Sequence, residues 1–449
     1  MNKAQLSHSD NLHSTHNDRK SIHKSESLRN EGLWKKIAYY LFLGFVFLFP
    51  LTITTSGTEI AFYGAAVILL TLFLTRRTEF TYHSPLIIPL LAFGLWAVIG
   101  LFTALDVAYS FHDLKSHFVK YLLLYLMVIN LIDAPKKLNL LSWTIVISVG
   151  LFCMGSLIHE YLILSISPST RFGLELIETP TNLIGVVTLF ALILTTRLIA
   201  EERRKPMIGL LAAWAVPILS VTVLTQTRSN FLALLVMLPV LLYKRWKLLV
   251  VAILILATII VATPARNRIK MKIDKSTHHR ISLAMIAVEV VKDHPITGTG
   301  FGIETMANHD LIPPEVYNQR VPESNRLHGK HFYVPHNMFL SVTVRTGVVG
   351  LVLFSLILGV CLVMQIDLIR HGRTPFIRKW ALCMLAAWMM FFVKGNLEPI
   401  FSRIPETIFF LILSITAVLW RMGHKPGGLR HRQPGDSFYP NPGNPTCDE

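Results

Sequence analysis

Charge is scarce in this chain. Of its 449 residues only 16% are Asp, Glu, Lys or Arg, and 52% are hydrophobic; soluble domains carry about 25% charged residues. Cysteine is scarcer still. Cys153, Cys361 and Cys383 lie inside apolar runs and Cys447 lies near the C-terminal end. With no CxxC and no Cys/His ligand spacing, neither a disulfide framework nor a structural zinc site is indicated. The outer segments described below hold no close carboxylate pair and no His-x-His set, so metal catalysis lacks a ligand set. No internal repeat is visible. The first thirty-odd residues lack the short apolar core and cleavage site of a signal peptide, so insertion is expected to begin at the first apolar span.

What is present is a series of long apolar runs, among them the stretch from Gly347 to Gln365. Runs of about 18 or more uncharged residues are bilayer spans. The chain therefore reads as an all-α polytopic membrane protein with about 12 transmembrane helices, at roughly 37–54, 58–75, 85–104, 116–132, 139–165, 181–200, 207–225, 227–243, 246–263, 337–368, 376–396 and 404–421. The net charge of +16 is spread in small basic clusters between these runs, so it reports membrane topology and not nucleic acid. With the N-terminus inside, the inner connections read "TRRTEF", "APKK", "EERRKP", "YKRWK", "RHGRTPFIRK" and "RMGHKPGGLRHR", all basic, and the short outer turns hold almost no Lys or Arg. That is the asymmetry expected of one orientation.

The expected organisation is an inner N-terminal tail at 1–36, transmembrane helices 1–9 at 37–263, one long outer loop at 264–335, transmembrane helices 10–12 at 336–421, and an inner tail at 422–449. Long loops translocate largely regardless of their charge. Within this one, "HHRISLAMIAVEVVKDHP" puts Ile281, Ala284, Met285, Val288 and Val291 at helical spacing, which predicts an amphipathic helix on or near the membrane surface. "GTGFG" (Gly298 to Gly302) then breaks the helix. It lacks the Lys-Ser/Thr and the βαβ context of a nucleotide-phosphate loop, and is expected to be a turn that gathers Arg280 and His336.

The topology places three residues at the outer membrane face. Arg228, in "TQTRSNF", opens span eight; Arg280 begins the amphipathic helix; His336 stands at the outer end of span ten. Arginine grips phosphate with a planar, bidentate fork and keeps its charge. A helix N-terminus and two nearby cations favour the neutral imidazole that a general base must be before it takes a proton. Together these are the equipment for a lipid-linked phosphate substrate. Each has a plainer reading as well: His336 with Asn337 as a helix cap, Arg228 as an interfacial arginine snorkelling to headgroups, Arg280 as one charge of a surface helix. Further candidates for phosphate or headgroup contact are His112, Lys115 and Lys120 in "FHDLKSHFVKY", Arg171 and Asn182 around the fifth outer turn, and Lys394, Glu398 and Arg403 in "VKGNLEPIFSR".

Two stretches, "RISLAMIAVEVVKDHPITGTGFG" and, after a variable loop, "PHNMFLSVTVRTGVVGL", resemble the signature region of the O-antigen ligase and polymerase family. The matching positions are Arg280, His294-Pro295, Gly298, Gly300 and Gly302, then His336-Asn337, Leu340, Gly347 and Gly350. "TRSNFLALL" is similar to that family's upstream arginine motif and puts Arg228 on its arginine. The resemblance implies a polytopic, GT-C-like glycosyltransferase of the inner membrane, acting at the periplasmic face without nucleotide sugar, metal or other cofactor. Its implied partners are an undecaprenyl-diphosphate-linked glycan donor, a lipid A–core acceptor and membrane lipids, and no nucleic acid. One long outer loop before the histidine span favours the ligase over a polymerase, and the short chain after span twelve argues against the protein oligosaccharyltransferases. In the expected mechanism Arg228 and Arg280 hold the diphosphate, His336 takes the acceptor proton, and a single displacement inverts the anomeric centre. Lys120, His112, Arg171, Asn337, Lys394 and Glu398 stand as substrate-binding candidates. A transporter of the same lipid is the alternative of another class. It would carry its charges at the midplane, often within repeats, and these charges cluster at one face.

Overall fold

The computed structural model of the chain describes residues 32–51, 54–76, 78, 80–167, 170, 172–173, 181–262, 275–327 and 334–424. Arg171, residues 1–31 and 425–449, and residues 264–274 and 328–333 of the long loop lie outside the described residues. Among those described there is no strand, and each apolar run folds as a helix. We label these α1 (32–48), α2 (Thr55–Leu74), α3 (Ile87–Gly100), α4 (Val107–Leu131), α5 (Pro135–Ile163), α6 (Thr181–Glu201), α7 (Lys205–Leu224), α8 (Arg228–Leu242), α9 (Trp246–Ala262), α10 (Lys275–Asp293), α11 (Met338–His371), α12 (Pro375–Leu397) and α13 (Arg403–His424). Eight of them, α2, α4, α5, α6, α7, α11, α12 and α13, are long and apolar enough to cross a membrane; α3, α8 and α9 are apolar but shorter. The chain is a multi-pass membrane protein.

Local chemistry sets where the helices start. Asp106 accepts from Tyr109 N at 2.9 Å to cap α4, Thr374 from Ile377 N at 3.3 Å to cap α12, and Asn337 from Leu340 N at 3.0 Å to cap α11; each supplies an oxygen to an amide the first turn would leave bare. Prolines occupy the first turns of α5, α7 and α12, where a missing N–H costs nothing. α13 is buried on every side from Ile404 to Leu419, as befits the centre of a bundle. α12 packs on α8, α11, α6 and α13.

The two ends of the bundle differ. At one, Lys35 and Lys137 reach Asp133 at 3.7 and 2.8 Å, and Arg421 donates to the carbonyls of Ile129 and Ile132. At the other lie Glu398 and Arg403. α13 separates the ends, with about 27 Å of helix between Arg403 and Arg421.

α11 departs from the single span expected at 337–368. Its 34 residues would stretch about 51 Å if straight, against a hydrocarbon core of about 30 Å. It is broken at Gly347, whose φ of 68° and ψ of −172° lie outside the helical region. Residues 348–371 rise about 36 Å, and α12 climbs nearly the same distance beside them. Residues 338–346 bend aside: the rings of Phe339 and Phe354 are 6.2 Å apart, where a continuous helix would separate them by about 22 Å.

The GTGFG turn serves this break. Thr299 N donates to Val344 O at 2.8 Å, Gly300 N to Arg345 O at 3.2 Å, and Val348 N to Pro295 O at 2.8 Å, so main-chain groups freed by the break find partners. Gly298 takes φ 70° with no room for a side chain against Val344 and Arg345. The turn does not itself touch Arg280 or His336. It pins the far end of an antiparallel pair, α10 beside 338–346, whose near ends carry those two residues.

α10 confirms the expected helix, and both of its faces are apolar. Leu283, Ile286, Ala287 and Val290 are fully buried, in a small core with Val344, Ile312 and Tyr317. Ile281, Met285 and Val288, from the stripe read as the apolar face, are 36–43% exposed. The sequence is apolar on both sides, and spacing alone could not say which side meets protein.

A Cβ at Gly347 would lie 1.9 Å from Ile296 O, whereas one at Gly359 meets nothing within 4 Å. Gly347→Ala is expected to lose several kcal/mol, since that backbone region is open essentially to glycine alone and the clash is with main chain. Gly359→Ala is expected to be neutral. Thermal unfolding of the two detergent-solubilised variants checks the contrast.

Candidate active site

The last turn of α12 carries Lys394, Asn396 and, as its C-cap, Glu398. Lys394 is fully buried and Glu398 is 2% exposed. Two buried charges are costly unless each is hydrogen-bonded, and the start of α8 provides the bonds. Lys394 Nζ donates to Ser229 Oγ at 2.8 Å and Asn230 Oδ1 at 2.9 Å, and Ser229 Oγ donates to Glu398 Oε1 at 3.1 Å.

The other faces of Glu398 meet the loop elements. Arg280, from α10, donates through Nη1 to Leu397 O at 3.0 Å, and its Nη2 lies 3.5 and 3.4 Å from the two Glu398 oxygens. His336 Nδ1 stands 3.8 Å from Glu398 Oε2. Burial pushes the Glu398 carboxyl up in pKa, but His336, Lys394, Arg280 and Ser229 outweigh it and hold it below the ordinary glutamate value. Arg228 opens α8 directly before Ser229 and is exposed. Arg280 and His336, from separate segments, thus meet one carboxylate, and Arg228 directly precedes the serine that bonds to it. His279, beside Arg280, is lowered in pKa by burial and by His336, so a second imidazole borders the cluster.

Asn337 caps α11 and donates to Asn396 Oδ1 at 3.1 Å. The capping role offered to His336 therefore belongs to its neighbour, and His336 is left one residue outside the helix. The remaining candidates lie apart from the cluster. Lys120 pairs with Glu59 at 2.6 Å and ties α4 to α2. His112 lies 3.2 Å from Asp113, whose other oxygen accepts from Ile303 N at 2.7 Å. Arg171 falls outside the described residues.

Some of the machinery was not anticipated. Ser229 and Asn230 were read only as neighbours of Arg228, though two polar residues following an arginine inside an apolar run were a signal. Arg345 is buried, donates to Phe301 O at 2.9 and 2.6 Å, and lies between the rings of Phe301 and Phe401. With Glu406 and His117, 2.7 Å apart, it borders a cavity of about 40 Å³ walled by phenylalanines. That is space for a few waters and too little for a sugar. Among the described residues no three His, Cys, Asp or Glu side chains gather as a metal cage.

Residues 213–355 match the family described as O-antigen ligase, so the resemblance read from the motifs stands on that segment. It covers roughly a third of the chain and contains Arg228, Arg280 and His336. The match implies a glycosyltransferase-like enzyme of the O-antigen ligase or polymerase type, within lipopolysaccharide biosynthesis. No curated protein matches the chain.

Because Asn337 is the cap, Asn337→Ala should cost about 1 kcal/mol of stability, and His336→Ala, which removes no cap, should cost less. Thermal unfolding of the two purified variants distinguishes them.

Proposed function

We propose that this protein is an inverting glycosyltransferase that joins undecaprenyl-diphosphate-linked O-antigen polysaccharide to lipid A–core at the periplasmic face of the inner membrane. The observation that carries the reading is Arg280 and His336 at buried Glu398, with Arg228 one residue before the Ser229 that bonds to it, at one end of the helix bundle. Two guanidinium groups beside an imidazole suit a diphosphate leaving group and an attacking hydroxyl.

In this reading the fold is GT-C-like. All twelve apolar helices, the shorter α3, α8 and α9 included, cross the bilayer. Residues 264–335 form a periplasmic loop, and the tails 1–36 and 422–449 are cytoplasmic. The exposed stripe Ile281, Met285 and Val288 rests on the outer leaflet. The donor's prenyl chain has a place to lie in an apolar cleft of about 330 Å³ between α6, α7, α8 and α9, lined by Leu192, Leu219, Leu234 and Met237 among others. Arg228 stands on the same helix, about 9 Å of α8 above Leu234, where a phosphate attached to that chain would meet it.

The chemistry then follows. Arg228 and Arg280 bind the diphosphate, and His336 removes the proton from the acceptor hydroxyl as its oxygen attacks the anomeric carbon. The C–O bond to the diphosphate breaks, its electron pair stays on the lipid-linked phosphate, and the anomeric centre inverts. General-base help is worth about 10²–10⁴ in rate, and arginines that meet growing phosphate charge can match or exceed it. Lys394 and Glu398 act from beneath the surface, Asn337 by fixing the histidine's helix, and His112, Lys120 and Arg171 as outer-face contacts to headgroup or glycan. The single long loop before His336 favours the ligase.

Purified protein given lipid-linked O-antigen and lipid A–core, with EDTA and without ATP, should yield joined lipopolysaccharide. Longer lipid-linked chains in place of that product would make it a polymerase. Loss of activity on chelation, restored by one divalent ion, would refute the arginine-based leaving-group stabilisation, and no transfer at all would refute the enzyme.

A further inference from the structure

His336 Nδ1 is buried and has no hydrogen-bond partner, although a carboxylate oxygen lies 3.8 Å away. A buried ring nitrogen beside an unreached acceptor needs an explanation. Glu398 supplies one, because its oxygens are already engaged: Ser229 holds Oε1 at 3.1 Å, and the Arg280 guanidinium stands 3.4–3.5 Å from both. Those last two contacts are at the long limit for a charge-assisted pair, which is ordinarily 2.7–2.9 Å. Arg280 is also the only partially exposed member of that pair, its side chain 33% accessible against 2% for Glu398.

We propose that Glu398 is a substrate-operated positioning residue, whose carboxylate is shared loosely with Arg280 in the resting protein and passes to His336 Nδ1–H when a diphosphate engages Arg280. This rests on the glycosyl-transfer reading above and adds a step to it. The guanidinium prefers a doubly charged, accessible diphosphate to a carboxylate it meets only at long range. As it turns outward, Glu398 stays anchored by Ser229 and, through Ser229, by Lys394. Closing about 1 Å brings Oε2 within hydrogen-bond reach of His336 Nδ1. The new bond fixes the proton on Nδ1 and leaves Nε2 unprotonated for the acceptor hydroxyl, with the carboxylate stabilising the imidazolium that forms. The carboxylate takes no proton; that proton goes from the acceptor oxygen to Nε2. The titratable groups about the imidazole are Glu398 and His279, with Arg280 and Lys394 joined to it through that carboxylate. The base is thereby readied only when donor is bound, which guards against transfer to water.

The test has two arms. In protein carrying ¹⁵N-histidine in bilayers, with the His336 signal assigned by difference from His336→Gln, undecaprenyl diphosphate should convert Nδ1 to a hydrogen-bonded N–H. No change at saturating undecaprenyl diphosphate would overturn the proposal, whether or not the protein transfers glycan. In the second arm, Glu398→Gln should still bind undecaprenyl diphosphate within about threefold of the parent while turnover falls at least roughly a hundredfold, the scale of general-base help. Glu398→Asp, which keeps the charge on a shorter arm, should recover part of that turnover. Equal losses of binding and turnover in Gln and Asp variants alike would make Glu398 a structural tie only. Should the Gln variant fail to fold, the Asp variant decides by the same split. Failure of the parent protein to transfer any glycan would contradict the proposed reaction, and the histidine signal would still decide the switch.

Discussion

A single carboxylate, buried where α12 ends, sets the geometry of the outer face. Glu398 cannot be charged in that place without partners, and they come from different parts of the chain: Ser229 from the start of α8 and Arg280 from the loop helix bond to it, and His336, at the entry to α11, stands 3.8 Å away. Lys394, one turn earlier and fully buried, supplies the compensating positive charge through Ser229. Breaking a buried pair by removing one member is far costlier than the pair's net contribution. The cluster therefore fixes the mutual positions of α8, α10, α11 and α12 whatever else it does. In the proposed function the same fixed geometry offers Arg228, Arg280 and His336 to one ligand.

That convergence depends on a mismatch of lengths. α11 is too long to cross a bilayer upright, and only because it breaks at Gly347 can its first nine residues run sideways and bring His336 down to the level of Glu398. The glycine-rich turn from Gly298 to Gly302, closed onto the broken main chain at Val344 and Arg345, makes the break stable. α10 is then held antiparallel to the displaced segment, so that Arg280 arrives beside His336. A motif that looks like a phosphate loop in sequence is a splint for a helix in the structure.

The helices were legible because they rest on strong signals: uncharged runs bounded by basic connections. Most helix boundaries came within a few residues for the same reason; α4 instead starts at Val107, nine residues before the expected 116, where Asp106 caps it, and α1 ends at 48, six short of the expected 54. Other features were hidden for physical reasons. α10 is apolar on two faces, and periodicity does not say which one a protein core will take. The break in α11 leaves no mark but Gly347 in a run that is otherwise good helix. Lys394 and Glu398 drew notice as charges near an outer turn, but burial, which turns them from surface groups into the floor of the site, is a tertiary property. Asn337 and His336 were interchangeable as caps until the Leu340 amide showed which of them is used.

The proposed chemistry requires that this cluster grip a lipid-linked diphosphate. The direct measurement is the affinity of the purified protein, in nanodiscs, for undecaprenyl diphosphate and for undecaprenol. The diphosphate should bind and the alcohol should not compete. Arg228→Lys and Arg280→Lys should each weaken the diphosphate by about tenfold or more, because an ammonium keeps the charge but not the bidentate fork. Equal binding of alcohol and diphosphate, or lysine variants that bind as tightly as the parent, would contradict it.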